Sequence, residues 1–201
     1  MSMKIRASSS NGRDLLIEAT LSCLAETGNQ GATVRSIAHV AGVTPGLVRY
    51  HFKSKNALLI AAYQTFNEEI YNRLNTVDLN QNRSLKSVLA DSMRAYFPED
   101  LTDTRKMRIM VAFWEQVLTN PDFSRVQKQS VNRIQQFFAR LVANYLGNSK
   151  TSDRIAIGMI SIADGLWLEC CLNPDRMKPK VAIEIATIFS LTRIQSGLAT
   201  T

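Results

Sequence analysis

Residues 33–55 read TVRSIAHVAGVTPGLVRYHFKSK, and this stretch decides how the rest of the chain is read. Thr33 suits the N-cap of a short helix, because its hydroxyl can accept from an otherwise unpaired N–H of the first turn. The apolar positions Val34, Ile37, Ala38 and Ala41 recur at i, i+3, i+4 and i+7, which places them on one helical face. Gly42 ends that helix, since glycine enters the left-handed conformation of a helix terminus at little steric cost. Thr44 then stands as N-cap of a second helix, with Pro45 in its first turn, where a missing N–H removes no bond. Two short helices joined by Ala41-Gly42-Val43 are predicted, with Ile37, Ala38, Val43, Val48 and Phe52 as the small core that fixes their angle.

The side chains left over point to a chemistry. Thr33 and Arg35 on the first helix, and Thr44, Pro45, Gly46, Arg49, Tyr50 and His51 on the second, form a slim surface of hydroxyls, a planar cation and an aromatic ring. Lys53 and Lys55 follow directly. A helix that enters the DNA major groove needs such a surface, with a guanidinium for base edges and flanking cations for phosphates. A helical hairpin inside an ordinary bundle is the bland alternative, but it does not call for a three-residue turn, a Thr-Pro start and two trailing lysines together. These ten residues are therefore the expected contacts to double-stranded DNA.

Working outward, the chain of 201 residues carries a formal charge of +7, with 45% apolar and 20% charged residues, an ordinary folded composition. Residues 1–60 hold seven Lys or Arg against three acids, so the cationic surplus is concentrated around the motif. Helical periodicity recurs everywhere and no alternating strand pattern appears. Leu16, Ala19, Thr20, Cys23 and Leu24 mark a first helix ending at Gly28. Ser54 caps a long fourth helix with the stripe Leu59, Ala62, Tyr63, Phe66, Ile70 and Leu74. Further helices are expected from Leu85 to Tyr96, ended by Pro98; from Met107 to Leu118, ended by Asn120-Pro121; from Asp122 to Leu146, stopped at Gly147; from Ser152 to Leu172; and from Pro179 to Ile194. The reading is all-α, about nine helices: a helix-turn-helix domain over residues 1–60 and a helical bundle over 61–201 for effector binding and dimerisation, with the polar stretch Val77–Arg83 near the junction.

Residues 13–60 resemble the TetR family of bacterial regulators. Its signature is matched here by Thr33, Ile37, Ala38, Ala41, Gly42, Val43, Thr44, Gly46, His51, Phe52, Ser54, Lys55, Leu58 and Leu59. Arg49 departs from the family's usual Tyr; arginine keeps a phosphate or base contact and adds a bidentate fork for guanine. The C-terminal part resembles the BetI-type branch through Ala112-Phe-Trp-Glu115 and Ile162-Ala-Asp-Gly-Leu-Trp-Leu168. The resemblance implies a homodimer on a palindromic operator, His51 near phosphate, and control by a small-molecule effector, in the BetI-type case a small cation such as choline or betaine aldehyde. No cofactor is implied.

Two readings stay open for the C-terminal residues. Met110, Phe113, Trp114, Glu115, Asp164 and Trp167 are candidates for an aromatic-walled pocket with a carboxylate, suited to an organic cation; alternatively the aromatics are core and Asp164 is a satisfied buried group. Met159, Ala163, Leu166 and Cys170 on one helix and Ile185 and Ile188 on the next are candidates for a dimer interface. The apolar stretch Ile155–Leu172 contains Asp164 and Glu169 and reads as a core helix rather than a membrane span. Cys23, Cys170 and Cys171 fit no disulfide framework, and no ligand-spaced Cys/His set suggests a metal. With no leader-like apolar segment in the first residues, a cytoplasmic location is expected. A helical enzyme is disfavoured, because nucleophile–base pairs, paired carboxylates and a phosphate loop are all lacking. A ligand-independent architectural DNA binder remains the alternative to a ligand-controlled regulator.

Overall fold

Two seven-residue helices sit at the centre of the motif, α2 (Val34–Val40) and α3 (Pro45–His51). The computed structural model describes residues 12–80, 82–97, 102–147 and 150–198. Among these the remaining helices are α1 (Gly12–Gly31), α4 (Lys55–Asn75), α5 (Leu85–Tyr96), α6 (Thr104–Thr119), α7 (Pro121–Leu146), α8 (Lys150–Leu172) and α9 (Pro179–Leu198), with no strand. The all-α reading is thus met. The first eleven residues and Pro98, expected to end α5, lie outside the described residues.

The helix ends follow their capping chemistry. Thr33 and Ser36 form a reciprocal capping box at the start of α2. At its end the Val43 N–H donates to the Ala38 carbonyl (2.9 Å) and the Gly42 N–H to that of His39 (3.1 Å). That pairing requires the left-handed backbone of Gly42, whose φ is 68°. Gly28 takes a φ of 64° and interrupts α1, so the helix proper stops there as expected and a separate turn follows.

The helices fall into two compact units, one of residues up to Phe66 with Arg108–Val126, the other of Asn67–Met107 with the residues from Gln127 onward. These bounds differ from the expected break at residue 60. Residues 108–126 join the first unit because Phe113 and Phe123 pack on α4. The ring centroids of Phe113 lie 4.4 Å from Tyr63 and 6.2 Å from Phe66, and those of Phe123 lie 5.9 Å from Tyr63. The polar turn at Val77–Arg83, expected near the junction, belongs to the second unit.

In the first unit α1 packs on α2 and α3. Leu16, Leu24, Ile37, Ala38, Val48 and Phe52 are buried together with the aromatic cluster, while Val43 is only half-buried. The turn after Gly28 is latched to α6: the Asn29 amide donates to the Ala112 carbonyl (2.6 Å) and to Glu115 Oε2 (2.7 Å).

In the second unit α5 and α8 both pack on α9. Most buried positions of α9 are small, among them Ala182, Ala186 and Ser190, which lets the neighbouring helices approach closely, and Ile194 is buried nearer its end. Arg73 of α4 closes the C-terminal end of α5, donating from Nε to the Ala95 carbonyl (3.0 Å) while it pairs with Glu69 (2.9 Å). Glu69 is also held by Lys106. By length and composition α8 is apolar enough to cross a membrane, yet it buries Ile155, Met159, Ala163, Trp167 and Cys170 within this unit.

Phe113→Ala should lower the unfolding free energy by about 3–5 kcal/mol, the cost of deleting a fully enclosed aromatic side chain. Chemical denaturation at fixed protein concentration measures it. A loss below about 1 kcal/mol would mean that the ring borders open space instead of core.

Candidate nucleic-acid interface

From Thr27 to Asn67 the sequence contains no Asp or Glu. Every charged side chain in α2, α3 and the start of α4 is therefore a cation or a histidine. Arg35, Arg49 and Lys53 are exposed, and among the described residues none forms an ion pair. Their charge is left for an external anion. Thr44, Pro45 and Gly46 are exposed with them at the start of α3. Thr44 occupies the N-cap, but its side chain makes no capping hydrogen bond. Thr33, by contrast, accepts from Ser36 N (3.1 Å) in the capping box.

Tyr50 is the most telling side chain, 82% exposed on a seven-residue helix. A large aromatic ring held in water serves no packing purpose, and among the described rings it meets the edge of His51 alone (4.9 Å). On α3 the outward face is thus Arg49 and Tyr50, while Val48 points into the core at 1% exposure.

Two expected contacts are partly engaged inside the fold. His51 is half-buried beside the start of α1, where a Cβ added to Gly12 would come within 3.1 Å of His51 Nε2. Lys55 is half-buried, with Nζ 3.4 Å from the Asn29 carbonyl. Its ammonium braces the turn after Gly28, which makes Lys53 the freer cation of the two.

The six pocket candidates separate. Met110, Phe113, Trp114 and Glu115 belong to the first unit, Asp164 and Trp167 to the second. Phe113 is fully enclosed by the aromatic cluster, Met110 and Trp114 are half-buried, and Glu115 is exposed with Asn29 on its carboxylate. Asp164 accepts a 2.5 Å hydrogen bond from the Tyr96 hydroxyl. Burial pushes the Asp164 carboxyl above its ordinary value of 3.8, and the Tyr96 bond offsets part of that. Burial, and then the Asp164 charge, push the Tyr96 phenol well above its ordinary value. One turn along α8, Trp167 is 4% exposed and its buried Nε1 has no hydrogen-bond partner among the described residues. Tyr96 was not foreseen as a site residue, since nothing local marks a partner 68 residues away in sequence.

The interface candidates also divide. Met159, Ala163 and Cys170 are fully buried and Leu166 is 9% exposed, so these four turn into their own unit rather than outward. Ile185 and Ile188 are exposed as expected, in line with Val181. The outward side of α8 instead carries Ile157, Ser161, Gly165 and Leu172. An expectation built on periodicity had no means of separating the two sides, because α8 is apolar on both.

Comparison with known proteins bears on both units. Residues 16–62 match the model of the bacterial regulatory proteins of the tetR family, and residues 86–191 match that of the BetI-type transcriptional repressor C-terminal region. The chain is 29% identical over 177 residues to the HTH-type transcriptional regulator BetI of Pectobacterium carotovorum, covering 87% of this chain and 89% of that one. Among solved structures, a transcriptional regulator from Rhodococcus sp. Rha1 has the same fold, with a TM-score of 0.81 at 23% identity over 92% of this chain and 97% of that one. A protein of Pseudomonas aeruginosa PAO1 assigned to the transcriptional regulators gives a TM-score of 0.77 at 29% identity, over 91% of this chain and 90% of that one. With one family model on the helix-turn-helix and a second on more than half of the chain, this protein belongs to the TetR family of transcriptional regulators, a family of non-enzymes, and its C-terminal half is of the BetI type.

Proposed function

We propose that this regulator is a cytoplasmic repressor that binds a palindromic operator as a homodimer and leaves it when a small organic cation binds the C-terminal unit. The observation that carries the DNA part is the acid-free stretch that exposes Arg35, Thr44, Arg49, Tyr50 and Lys53 on two short helices. Each subunit offers one such surface, so a two-fold dimer reads two half-sites about one helical turn or slightly more apart.

The dimer reading rests on the apolar surface that the second unit leaves open. Ile157 and Leu172 of α8 are 49% and 64% exposed, and Val181, Ile185 and Ile188 of α9 are 43%, 36% and 49% exposed. Ser161 and Gly165 lie between the first pair, small enough to let a second helix come close. Apolar stripes of this kind are normally covered.

The effector reading rests on Asp164 and Trp167. A half-buried carboxylate held by a tyrosine hydroxyl, with an indole N–H one turn away that has no partner among the described residues, suits a cation that also carries a hydrogen-bond acceptor. Control then requires only that this ligand prefer one dimer conformation over the other.

Three outcomes are expected. On operator DNA, Arg49→Ala and Tyr50→Ala should each cost about 1–3 kcal/mol and relax base preference, whereas Lys53→Ala should weaken all sequences alike and reduce the salt slope by about one. Anisotropy titrations across salt concentration measure both, and wild-type affinity in the two α3 variants would remove that helix from the readout. Light scattering at low micromolar protein should give twice the chain mass of 22.5 kDa, with Ile185→Glu shifting the population toward monomer; a wild-type monomer that still holds the operator tightly would sink the dimer.

The third outcome concerns pH. The Asp164 carboxyl titrates above 3.8 in the fold, so the folded chain holds this proton to higher pH than the unfolded chain does. Its contribution to stability is intact below the ordinary value and is lost as pH rises through the raised one. Asp164→Asn should therefore melt higher than wild type at pH 8, with the gap closing toward pH 4, and should lose the rise in choline affinity that wild type shows over that window. A variant that melts lower at every pH, together with operator release by neutral or anionic metabolites alone, would make Asp164 a structural residue.

A further inference from the structure

We propose that the groove between α5 and α9 is a second ligand site, distinct from Asp164 and Trp167, and that it takes an amphipathic organic anion: a carboxylate or sulfonate on an apolar body. The inference stands on the second unit alone and does not depend on the DNA or effector readings.

The groove has a volume of about 660 Å³, inside the range of roughly 300–1,000 Å³ typical of small-molecule clefts. Its existence follows from side-chain size. Lys86, Ala90 and Arg94 lie at i, i+4 and i+8 on α5, one above the other on a single face. The long side chains flank a methyl group, so the middle of that face is hollow. Across from it, α9 supplies Ile183, Thr187 and Ile188. The Thr187 hydroxyl already donates to the Ile183 carbonyl within the helix (2.7 Å), which leaves the floor without a polar demand of its own. The floor is therefore apolar.

The rim is cationic. Lys86 and Arg94 from α5 and Lys180 from α9 face one carboxylate, Glu184. Arg94 shares its charge with Asp91 outside the groove (2.8 Å). Lys86 and Lys180 form no ion pair among the described residues. An apolar trough edged by two unpaired ammonium groups complements a ligand with a hydrocarbon body and an anionic head. A neutral ligand would leave the lysines unused, and a cationic one would meet their repulsion.

The position has a consequence for assembly. On α9, Ile188 is both a wall of the groove and a member of the exposed stripe with Val181 and Ile185. An occupant of the groove thus touches the edge of the surface assigned to the partner subunit.

The test uses the full chain and three probes built on a ten-carbon chain, below their micellar or solubility limits: decanoate, decanol and decyltrimethylammonium. Calorimetry should show saturable decanoate binding at one per chain, weakened by salt and at least tenfold tighter than either other probe. The double variant Lys86→Glu/Lys180→Glu changes two exposed side chains and should keep the wild-type melting temperature while losing at least tenfold in decanoate affinity. Ala90→Leu, which fills the hollow, should weaken decanoate and decanol together. Asp164→Asn should leave decanoate binding as it is. The proposal is overturned if the double variant binds decanoate as wild type does, if decyltrimethylammonium binds as tightly, if Asp164→Asn rather than the double variant removes the binding, or if no saturable binding occurs at 1 mM.

Discussion

A helix of seven residues cannot hold itself together in water, because nucleation fixes several backbone torsions before the first hydrogen bonds compensate. Both helices of the motif have that length. Their persistence depends on burial of Ile37, Ala38, Val48 and Phe52, none more than 5% exposed, and on the packing of α1 against both. The turn at Gly42 does the complementary job with hydrogen bonds, its N–H groups pairing carbonyl acceptors that α2 would otherwise leave empty at its end. The proposed DNA contacts of α2 and α3 are mounted on this small clamp, so their exposed face is free to be chosen for chemistry alone. That freedom shows in Tyr50, a large ring that the fold does not use.

Charge is distributed with the same division of labour. The stretch from Thr27 to Asn67 has no carboxylate, whereas beyond it acids are used to tie helices together. Glu69 bridges Arg73 and Lys106, Asp91 bridges Arg83 and Arg94, and Glu68 holds Arg133. Exposed pairs of this sort contribute little individually, about 0–1 kcal/mol. At the motif the contrast is complete, because no carboxylate of that stretch can offset its cations. Asp164 differs from these pairs: it is half-buried, and its partner is a phenol rather than a cation.

Much of this was legible in the sequence wherever the signal was local. Thr33, Gly42 and Pro45 mark the ends of α2 and α3, Pro121 and Gly147 bracket α7, and Pro179 opens α9, because capping and backbone restriction act within a few residues. What stayed hidden depends on partners far along the chain. Asn29 and Glu115 are 86 residues apart, and the Asn29 carbonyl beside Lys55 Nζ comes from 26 residues earlier in the chain. The inner and outer faces of α8 were hidden for another reason. Met159, Ala163 and Cys170 are no more apolar than Ile157 and Leu172 outside, so periodicity gave two acceptable answers and only packing chose between them.

The aromatic cluster of the first unit limits how this chain can be dissected. A fragment ending at residue 66 would contain every residue of the helix-turn-helix, and by motif alone it would pass for a portable module. It would lack Phe113 and Phe123, the rings that cover Tyr63 and Phe66, and it would lose the acceptors that Asn29 finds on α6. Such a truncation would carry a raw apolar face into solution, and a protease that nicked α6 would undermine the same unit from a site far downstream of Phe66, where its N-terminal segment ends.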